Sequence, residues 1–456
     1  MKLYRYRTIK SALLELDNGT FYFADPKELN DPLEGYLKIF WQGDKFAWEG
    51  LLKNFVCSLF YNFQTYLLMS RRFQNSAQEN FLSNFQTRSI LSDLQQFDNS
   101  SLSQIFVELT ENFWAEEIVK EVVDFYGNDK IKCYGREMEF IFRTVIDVAF
   151  IICVKKFKSL GLIYDDFDEK IFDVEYEISF AELKNISDAA RKKKIDSLEN
   201  LNCDMMESGL LALKWNNHSS DMKYMLKQHM LWLRLIFPRT YVEQLKEIMY
   251  PSGYVVCFSD TPTNSAMWGN YADNHRGICF IYETENFDGR EYINFATKSL
   301  EIKQIKYTSK VIERNFFDTL RNLSFIRAED WLTGRGGLKS KKLTAPKSTE
   351  GYVYDYQEKF YRKIMDWHHE REYRIFLADR FSHYTDRLAR NLKYDLKMLT
   401  GIIFGIRTTL DDRFKILQKL AKLGKSIRDF DFFQAEYDDD TQLISIREKI
   451  LLTKIN

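Results

Sequence analysis

Side chains able to do chemistry concentrate in four short segments of this 456-residue chain. The first segment carries Arg5 and Arg7, which alternate with tyrosines and would share one face of a strand. A guanidinium group stays charged and donates two parallel hydrogen bonds, so this pair suits a phosphate or a pyrophosphate. The last segment carries Glu370 and Glu372, and a carboxylate in a dry cleft stabilises positive charge that develops during a reaction. The residue types therefore predict two complementary charged groups that meet in the folded chain.

The two middle segments are polar stretches next to predicted strands. Residues 25–34 follow an aromatic strand and are expected to form a turn in which Asn30 bonds to the backbone. Residues 257–262 end a buried strand with Ser259 and Thr261. Hydroxyl groups at a strand end can order a ligand, but the same residues also serve as a turn and a helix cap. Both interpretations stay open on the sequence.

Aromatic side chains near these segments offer flat faces for a planar ring. The candidates for stacking are Tyr22, Trp268 and Tyr271. Trp268 and Tyr271 lie three residues apart in a predicted helix, a spacing that is also typical of core packing. The sequence thus favours neither role.

Metal chemistry is not expected from the histidines. His368 and His369 precede Glu370, but neighbouring residues on a strand point to opposite faces and would not share a metal ion. A metal-dependent nuclease would need several carboxylates that converge. The chain offers candidates whose spacing gives no independent support: Asp25, Asp31, Glu34, Glu370 and Glu372.

Composition argues against several broad classes of protein. The 65 lysines and arginines balance 66 acidic residues, which argues against general nucleic-acid binding. Six cysteines without a Cys-x-x-Cys pair predict neither a zinc knuckle nor a disulfide framework. Because the sequence shows no apolar leader and no apolar run of membrane length, we expect a cytoplasmic protein without membrane association. Walker, dinucleotide-fingerprint, serine-hydrolase and zincin motifs are missing from the sequence.

Prolines and hydrophobic periodicity divide the chain into a domain with an insertion. Residues 33–237 contain no proline, and apolar residues recur there at three- and four-residue spacing, which favours helices. Residues 41–250 are therefore predicted to be a mostly α-helical insertion, with the basic run 191–194 on a solvated face. Residues 1–40 and 251–456 carry short apolar and alternating stretches that predict an α+β core.

The predicted elements of this core are short. From alternation and apolar runs, strands are expected at residues 3–7, 20–24, 254–258, 277–282, 301–307, 372–377, 400–404 and 429–435. Helices are expected at residues 11–16, 266–272 and 411–423.

Several motifs resemble a widespread bacterial family whose function is unknown. They are Leu-Tyr-Arg-Tyr-Arg at 3–7, Asn-Asp-Pro at 30–32, Cys-Phe-Ser at 257–259, Met-Trp-Gly-Asn-Tyr-Ala at 267–272, Glu-Arg-Glu-Tyr-Arg at 370–374 and Ile-Ile-Phe-Gly at 402–405. The resemblance covers the two outer segments and not the helical insertion. By itself it implies no activity.

A more distant resemblance implies a fold and an activity. A first-strand arginine, a Ser-x-Thr that ends a strand and a later Glu-x-Glu stand in an order similar to the Arg–Ser–Glu pattern of ADP-ribosyltransferases. The resemblance implies an ADP-ribosyltransferase-like core of short strands, interrupted by the large helical insertion. It also implies that Arg5 or Arg7 contacts the phosphates of NAD.

The same resemblance assigns roles to the later motifs. It implies that Ser259 and Thr261 order the ribose next to the nicotinamide. Glu372 is implied as the catalytic carboxylate, with Glu370 beside it. The chain departs from the family pattern at residues 258–261, where Phe-Ser-Asp-Thr stands in place of Ser-Thr-Ser.

The implied reaction uses NAD as a substrate and needs no metal. It is transfer of ADP-ribose to a macromolecule, protein or nucleic acid, or hydrolysis of NAD. Such an enzyme is expected to be a bacterial toxin or an antiviral (phage) defence effector, with a partner protein on the helical insertion. The alternative is a non-enzymatic binding or sensor module. In that case Arg5 and Arg7 are outward residues of an edge strand, and the glutamates form an ordinary salt-bridged strand face.

Overall fold

The structure is a computed structural model of the chain. It describes residues 1–72, 101–163, 185, 222–250, 252–323, 326–344, 349–379, 383–425 and 430–448. The basic run predicted on a solvated face, 191–194, lies outside these described residues. The chain divides into two compact units, of which the first comprises Met1–Leu37, Pro251–Ile312 and Val353–Asn456, and the second Lys38–Tyr250 and Glu313–Tyr352.

The chain is a mixture of strands and helices. The strands are β1 Lys2–Arg7, β2 Thr20–Tyr22, β3 Lys38–Trp41, β4 Cys133–Tyr134, β5 Ser252–Ser259, β6 Ile278–Glu283, β7 Glu285–Phe287, β8 Arg290–Asn294, β9 Ser299–Gln304, β10 Lys306–Tyr307, β11 Glu313–Asn315, β12 Arg362–Lys363, β13 Glu372–Asp379, β14 Asn391–Lys393, β15 Leu399–Phe404, β16 Asp431–Asp438 and β17 Leu443–Glu448. The α-helices are α1 Ile9–Asn18, α2 Lys45–Arg72, α3 Ser101–Ala115, α4 Glu117–Tyr126, α5 Gly135–Ser159, α6 Met222–Met249, α7 Ser265–Tyr271, α8 Phe316–Thr319, α9 Ala328–Trp331, α10 Lys341–Thr344, α11 Thr349–Glu358 and α12 Leu410–Lys422. Short 3₁₀ helices cover Pro26–Glu28, Leu320–Asn322, Arg335–Gly337, Met365–Glu370, Leu388–Arg390 and Leu396–Met398.

The first unit is built on one large sheet. Among the described residues, ten strands join in the order β17-β16-β15-β6-β1-β5-β13-β9-β8-β7. The interpretation of β1 as an edge strand is wrong, because β1 lies between β6 and β5. A central strand buries both of its faces, and Arg5 is accordingly almost inaccessible.

The two faces of this sheet carry separate apolar clusters. Alternation along β1 places Leu3 in a cluster with Phe21 and Phe258, and places Tyr6 in a second cluster with Trp268. Because each face has its own core, every strand of the centre is held in register by side chains above and below.

Local caps set the bounds of the first helix. The hydroxyl of Thr8 accepts a hydrogen bond from the backbone amide of Ser11 at 3.2 Å, which satisfies one free amide of the first turn. Gly19 ends the helix in the left-handed region, with φ of +60°, a conformation that suits glycine. The helix α1 therefore extends beyond the predicted residues 11–16 at both ends.

The second unit contains the long helices and a small sheet. Residues 313–352 were predicted within the α+β core but join this unit, because β11 pairs in parallel with β3 in the order β11-β3-β4. Helix α6 continues past Pro238, which has no amide hydrogen to donate. Tyr241 and Leu245 beyond the proline are fully buried, so tertiary packing offsets the missing hydrogen bond. No helix among the described residues is long and apolar enough to cross a membrane.

Candidate functional site

The candidate site is a cleft in the first unit where β1 and β5 separate. In the described part of the chain these strands pair at one position, Tyr4 with Ser259, whereas β1 pairs with β6 along its whole length. Further along, β5 pairs instead with Ala24, through Val255. Residues of β1 and β5 beyond the Tyr4–Ser259 pair line a cavity of about 230 Å³ between them.

Three strands bring their polar ends together at this point. Ser259 at the end of β5 pairs with Tyr4 on one side and with Glu372, the first residue of β13, on the other. Tyr4, Ser259 and Glu372 thus stand in one row across the sheet. The residues singled out in the sequence that line the cavity are Arg5, Arg7, Tyr22, Asn30, Ser259, Tyr271, Glu370 and Glu372.

Two predicted site residues lie elsewhere. Among the described residues that line the cavity, Trp268 and Thr261 do not appear. Trp268 is fully buried, with its ring 5.1 Å from that of Tyr6, and its Nε1 donates to the carbonyl of Pro262 at 2.8 Å. The amide of Thr261 donates to the Ser259 hydroxyl at 3.3 Å, as in a turn. Their spacing along the chain could not show that these two side chains do not line the cleft.

The two arginines share a buried carboxylate. Glu15 of α1 lies 3.4 Å from Arg5 Nη1 and accepts a hydrogen bond from Arg7 Nε at 3.0 Å and from the Tyr282 hydroxyl at 2.5 Å. Two cations against one carboxylate leave this group with a formal charge of +1. Glu15 was missed in the sequence. The signal that could have found it is its position next to Leu16 and three residues after Ala12, on the apolar side of the predicted helix.

Arg5 has spare hydrogen-bonding capacity. Its guanidinium lies 4.8 Å from the ring centre of Phe21 and 5.5 Å from that of Phe258. Its Nη1 is buried and has no hydrogen-bond partner. Burial, and then the nearby charge of Arg7, lower the pKa of Arg5. An anion in the cleft would accept a hydrogen bond from Nη1 of Arg5. It would also supply the second negative charge that the group of Arg5, Arg7 and Glu15 lacks.

On the other side of β5 lies a buried network of three carboxylates and two cations. Arg374 Nε and Nη2 donate to the two oxygens of Glu372 at 2.6 and 2.9 Å. Arg374 also holds both oxygens of Glu34, at 2.9 Å through Nη2. Lys363 Nζ reaches Glu370 at 2.5 Å and Glu372 at 3.2 Å. The five side chains are at most 4% exposed, and the network carries a formal charge of −1.

The protonation states in this network follow from burial and pairing. Burial alone would raise the pKa of Glu372, but Arg374 and Lys363 lower it to about 2, so Glu372 is ionised at neutral pH. For Glu34 burial outweighs Arg374, and the pKa is raised. Burial would lower the pKa of Lys363, but Glu372 and Glu370 raise it. The cleft therefore holds a fixed, dry negative charge at Glu372.

A hydrogen-bonded chain connects the polar turn to this network. Asn30 Nδ2 donates to the Tyr271 hydroxyl at 3.1 Å, and that hydroxyl donates to Glu370 at 2.7 Å. The prediction that the Asn30 side chain bonds to the backbone of the turn is wrong. The neighbouring Asp31 makes this bond, since its carboxylate accepts the amide of Leu33 at 2.9 Å. The turn places Asn30 over the cleft and leaves the backbone bond to its neighbour.

The two histidines before β13 were predicted to lie on a strand, and this prediction is wrong. His368 and His369 lie in the 3₁₀ helix Met365–Glu370, and each ring Nδ1 lies within 3.1 Å of a backbone carbonyl. Arg371 adopts a left-handed conformation, with φ of +47°, before β13 begins. Across the described ranges, no group of three or more His, Cys, Asp or Glu side chains is arranged to hold a metal ion.

Several residues of the network could not be recognised in advance. Lys363 carried no signal beyond its charge, and Glu34 was named only among the candidate carboxylates of a metal-dependent nuclease, since the partners of both residues lie in other segments. Arg374 stood in a quoted motif but was not given a role. A fully buried guanidinium needs partners for its charge, and only the packing of the chain shows which carboxylates pair with Arg374.

Comparison with known proteins supports the first of the two resemblances, the one to a family of unknown function. No curated protein and no solved structure matched the chain. Residues 267–375, which include Tyr271, Glu370 and Glu372 of the cavity, match the model of a family described as Protein of unknown function (DUF2971). Over these residues the chain is therefore similar to a family of unknown function.

Proposed function

We propose that the cleft between β1 and β5 binds NAD as a substrate and breaks the bond between nicotinamide and ribose, as ADP-ribosyltransferases do. The observation that carries the proposal is convergence. Arg5, Ser259 and Glu372 come from three distant segments and line one cavity. Along the chain they follow one another as Arg, Ser and Glu, which is also the order of the Arg–Ser–Glu pattern of ADP-ribosyltransferases.

The charges of the cleft suit this substrate. The group of Arg5, Arg7 and Glu15 has a formal charge of +1 and lies on one side of β5, while the network around Glu372 has a formal charge of −1 and lies on the other. NAD carries a cationic nicotinamide riboside and an anionic pyrophosphate. Electrostatic complementarity therefore favours one orientation, with the pyrophosphate at the arginines.

The ionised Glu372 fits the chemistry of bond cleavage. As nicotinamide leaves with the bonding electron pair, positive charge builds on the ribose, as in glycoside hydrolysis. A carboxylate that is already ionised, desolvated and held by Arg374 stabilises that charge without reorganising. Water or a nucleophile of an acceptor then bonds to the ribose carbon and releases its proton.

The size of the cavity limits what lies inside it. About 230 Å³ is below the range of roughly 300–1,000 Å³ that is usual for small-molecule sites. The nicotinamide riboside would occupy the cleft, with Tyr22 and Tyr271 as the aromatic faces near it, and the adenosine would extend beyond. This size favours a reaction at the nicotinamide end of the dinucleotide.

The experiment is release of nicotinamide from NAD by the purified full chain, with and without cell lysate. Chromatography separates nicotinamide from free ADP-ribose, and labelled NAD reports transfer to a macromolecule. We expect nicotinamide to form faster than in buffer, with ADP-ribose as the second product if the protein is a hydrolase. An absence of nicotinamide in both conditions would contradict the proposal.

A non-enzymatic binding or sensor module is the second candidate. The observation that favours it is that Glu34, Glu370 and Glu372 each have a cation within 4 Å, as in a network that only holds the fold. In this case NAD would leave the melting temperature unchanged. Under the first candidate NAD raises the melting temperature, because a ligand that binds only the folded state stabilises it.

The Arg5→Gln substitution is expected to weaken NAD binding about 10- to 100-fold. A hydrogen bond to a charged group contributes roughly 1.5–3 kcal/mol, and each 1.4 kcal/mol is tenfold in affinity. Titration calorimetry with NAD measures the change. Arg7→Gln is the matched control, since Arg7 pairs with the same Glu15 but is 27% exposed. A larger loss in Arg7→Gln than in Arg5→Gln would assign the phosphate contact to Arg7.

A further inference from the structure

A second cavity of the first unit combines exposed apolar side chains with a cation. It lies between the start of α7, the turn that follows this helix, the loop after β15 and the hairpin of β16 and β17. Within the described part of the chain it shares no lining residue with the candidate site. Its chemistry is therefore separate from that of the cleft.

The apolar part of this lining is exposed to solvent. Ile406 of the loop, Tyr437 of β16 and Leu443 of β17 are large hydrophobic residues that the fold leaves exposed, and all three line the cavity. One exposed apolar residue is ordinary on a protein surface. Several that come from different elements and line one cavity are typical of a ligand site, and they suit an apolar group.

Arg407 supplies the positive charge of the lining. In the part of the chain that the structure describes, its guanidinium forms no ion pair, and no aspartate or glutamate lines the cavity. On the hairpin, the carboxylate of Asp438 already accepts the backbone amides of Asp440 and Thr441 at 3.1 and 2.9 Å. An anionic group in the cavity would gain charge-assisted hydrogen bonds from Arg407.

His275 adds a fixed polar ring beside Arg407. Asp273, Asn274 and His275 adopt left-handed conformations in succession, and the amide of Arg407 donates to the His275 carbonyl at 2.9 Å. The His275 ring lies nearly parallel to that of Trp268, with ring centres 6.4 Å apart. Burial, and then the charge of Arg407, lower the pKa of His275, so the ring is neutral at pH 7. The positive charge of the cavity is therefore that of Arg407 alone.

We propose that this cavity binds a small organic carboxylate, with the carboxylate at Arg407 and the apolar part of the ligand against Ile406 and Leu443. A guanidinium group donates two parallel hydrogen bonds, which match the two oxygens of a carboxylate. One cation balances the single negative charge of a carboxylate better than the higher charge of a phosphate ester. The site does not depend on the NAD reaction proposed above and can be tested without NAD.

Benzoate is the probe, because it carries a carboxylate on an apolar ring. Benzamide keeps the ring without the charge, and acetate keeps the charge without the ring. Titration calorimetry with the purified full chain at pH 7 measures the three affinities. Benzamide and acetate should each bind about tenfold more weakly than benzoate or worse, because each lacks one of the two groups that the lining recognises.

Arg407→Gln should weaken benzoate binding about 10- to 100-fold, the usual effect of losing a hydrogen bond to a charged group. Arg276→Gln is the matched control and should leave the affinity unchanged, since Arg276 is an exposed arginine next to His275 that does not line the cavity. Leu443→Ser tests the apolar wall. It should weaken benzoate binding and leave acetate binding as it is in the wild type.

The position of the bound probe is read from His275. In protein with labelled histidines, the His275→Gln variant identifies the ring signal of His275 in the magnetic resonance spectrum. Benzoate should shift this signal in the wild type, because the bound ring lies beside it.

Three results would overturn the proposal. The first is benzoate affinity that is absent in the wild type or equal in the wild type and in Arg407→Gln. The second is a His275 signal that does not move when benzoate binds, which would place the probe elsewhere. The third is binding of phenyl phosphate that is tighter than that of benzoate, which would assign the cavity to a phosphate ester.

Discussion

Glu372→Gln is expected to lower the rate of nicotinamide release from NAD by a factor of about 10²–10³, the usual cost of removing one preorganised electrostatic group. Glutamine keeps the shape of the side chain but removes the charge that would stabilise the ribose cation. Because Glu372 is ionised down to a pH of about 2, its loss should lower the rate equally across neutral pH. Chromatographic assay of nicotinamide at several pH values measures the effect.

The control for this substitution is Glu34→Gln. Glu34 holds the same guanidinium of Arg374 and is as deeply buried as Glu372, but it is not among the residues that line the cleft. Both substitutions should therefore lower the melting temperature, while only Glu372→Gln should remove activity. Equal losses of activity in the two variants would show that Glu372 acts through the fold and not on the substrate.

Arg374→Met is expected to lower the free energy of unfolding by about 3–5 kcal/mol. Methionine fills much of the space but leaves Glu34 and Glu372 buried without their shared cation, and removal of one partner from a buried ion pair costs about this much. Urea denaturation followed by circular dichroism measures the change. Arg371→Met is the matched control: that side chain is 60% exposed and pairs with Asp260, so its loss should cost less than about 1 kcal/mol.

The stability cost of Arg374→Met should depend on pH in a defined direction. In the wild type the pKa of Glu372 is lowered to about 2, so its stabilising effect is present above its ordinary pKa and is lost as pH falls towards 2. In the variant the buried carboxylates are protonated more readily. The difference in stability between the two proteins should therefore shrink as pH falls from about 4.5 to 2. A difference that stays constant over this range would contradict the assignment of the cost to charge.

Much of the local structure was predictable. The strand predicted at 254–258 is β5, Ser252–Ser259, and the helix predicted at 411–423 is α12, Leu410–Lys422. Alternation, apolar spacing and caps such as Thr409 act within a few residues, so the sequence expresses them directly. The family resemblance likewise rested on short motifs, and the family match at residues 267–375 supports it.

The sheet order was not predictable in the same way. Nothing in Leu3 to Arg7 distinguishes an edge strand from the central strand that β1 is, because its neighbours β5 and β6 lie more than 240 residues further along the chain. Residues 313–352 joined the second unit through the pairing of β11 with β3, which is also a long-range choice. Such choices depend on the burial of whole faces and not on the residues of one strand.

The sequence by itself determined which polar residues were available and which short elements would carry them. Only the tertiary structure decided that Glu372 is bound to Arg374 and Lys363, that Glu15 joins the two arginines, and that Trp268 does not line the cleft. The physical reason is the distance along the chain over which each interaction acts. Helices and strands form from residues that are close in sequence, whereas a buried charge takes its partners from any segment that packs against it. The pairing of Arg374 with Glu34 spans 340 residues of chain. The separation of β1 from β5, which opens the cleft, is likewise a property of the assembled sheet.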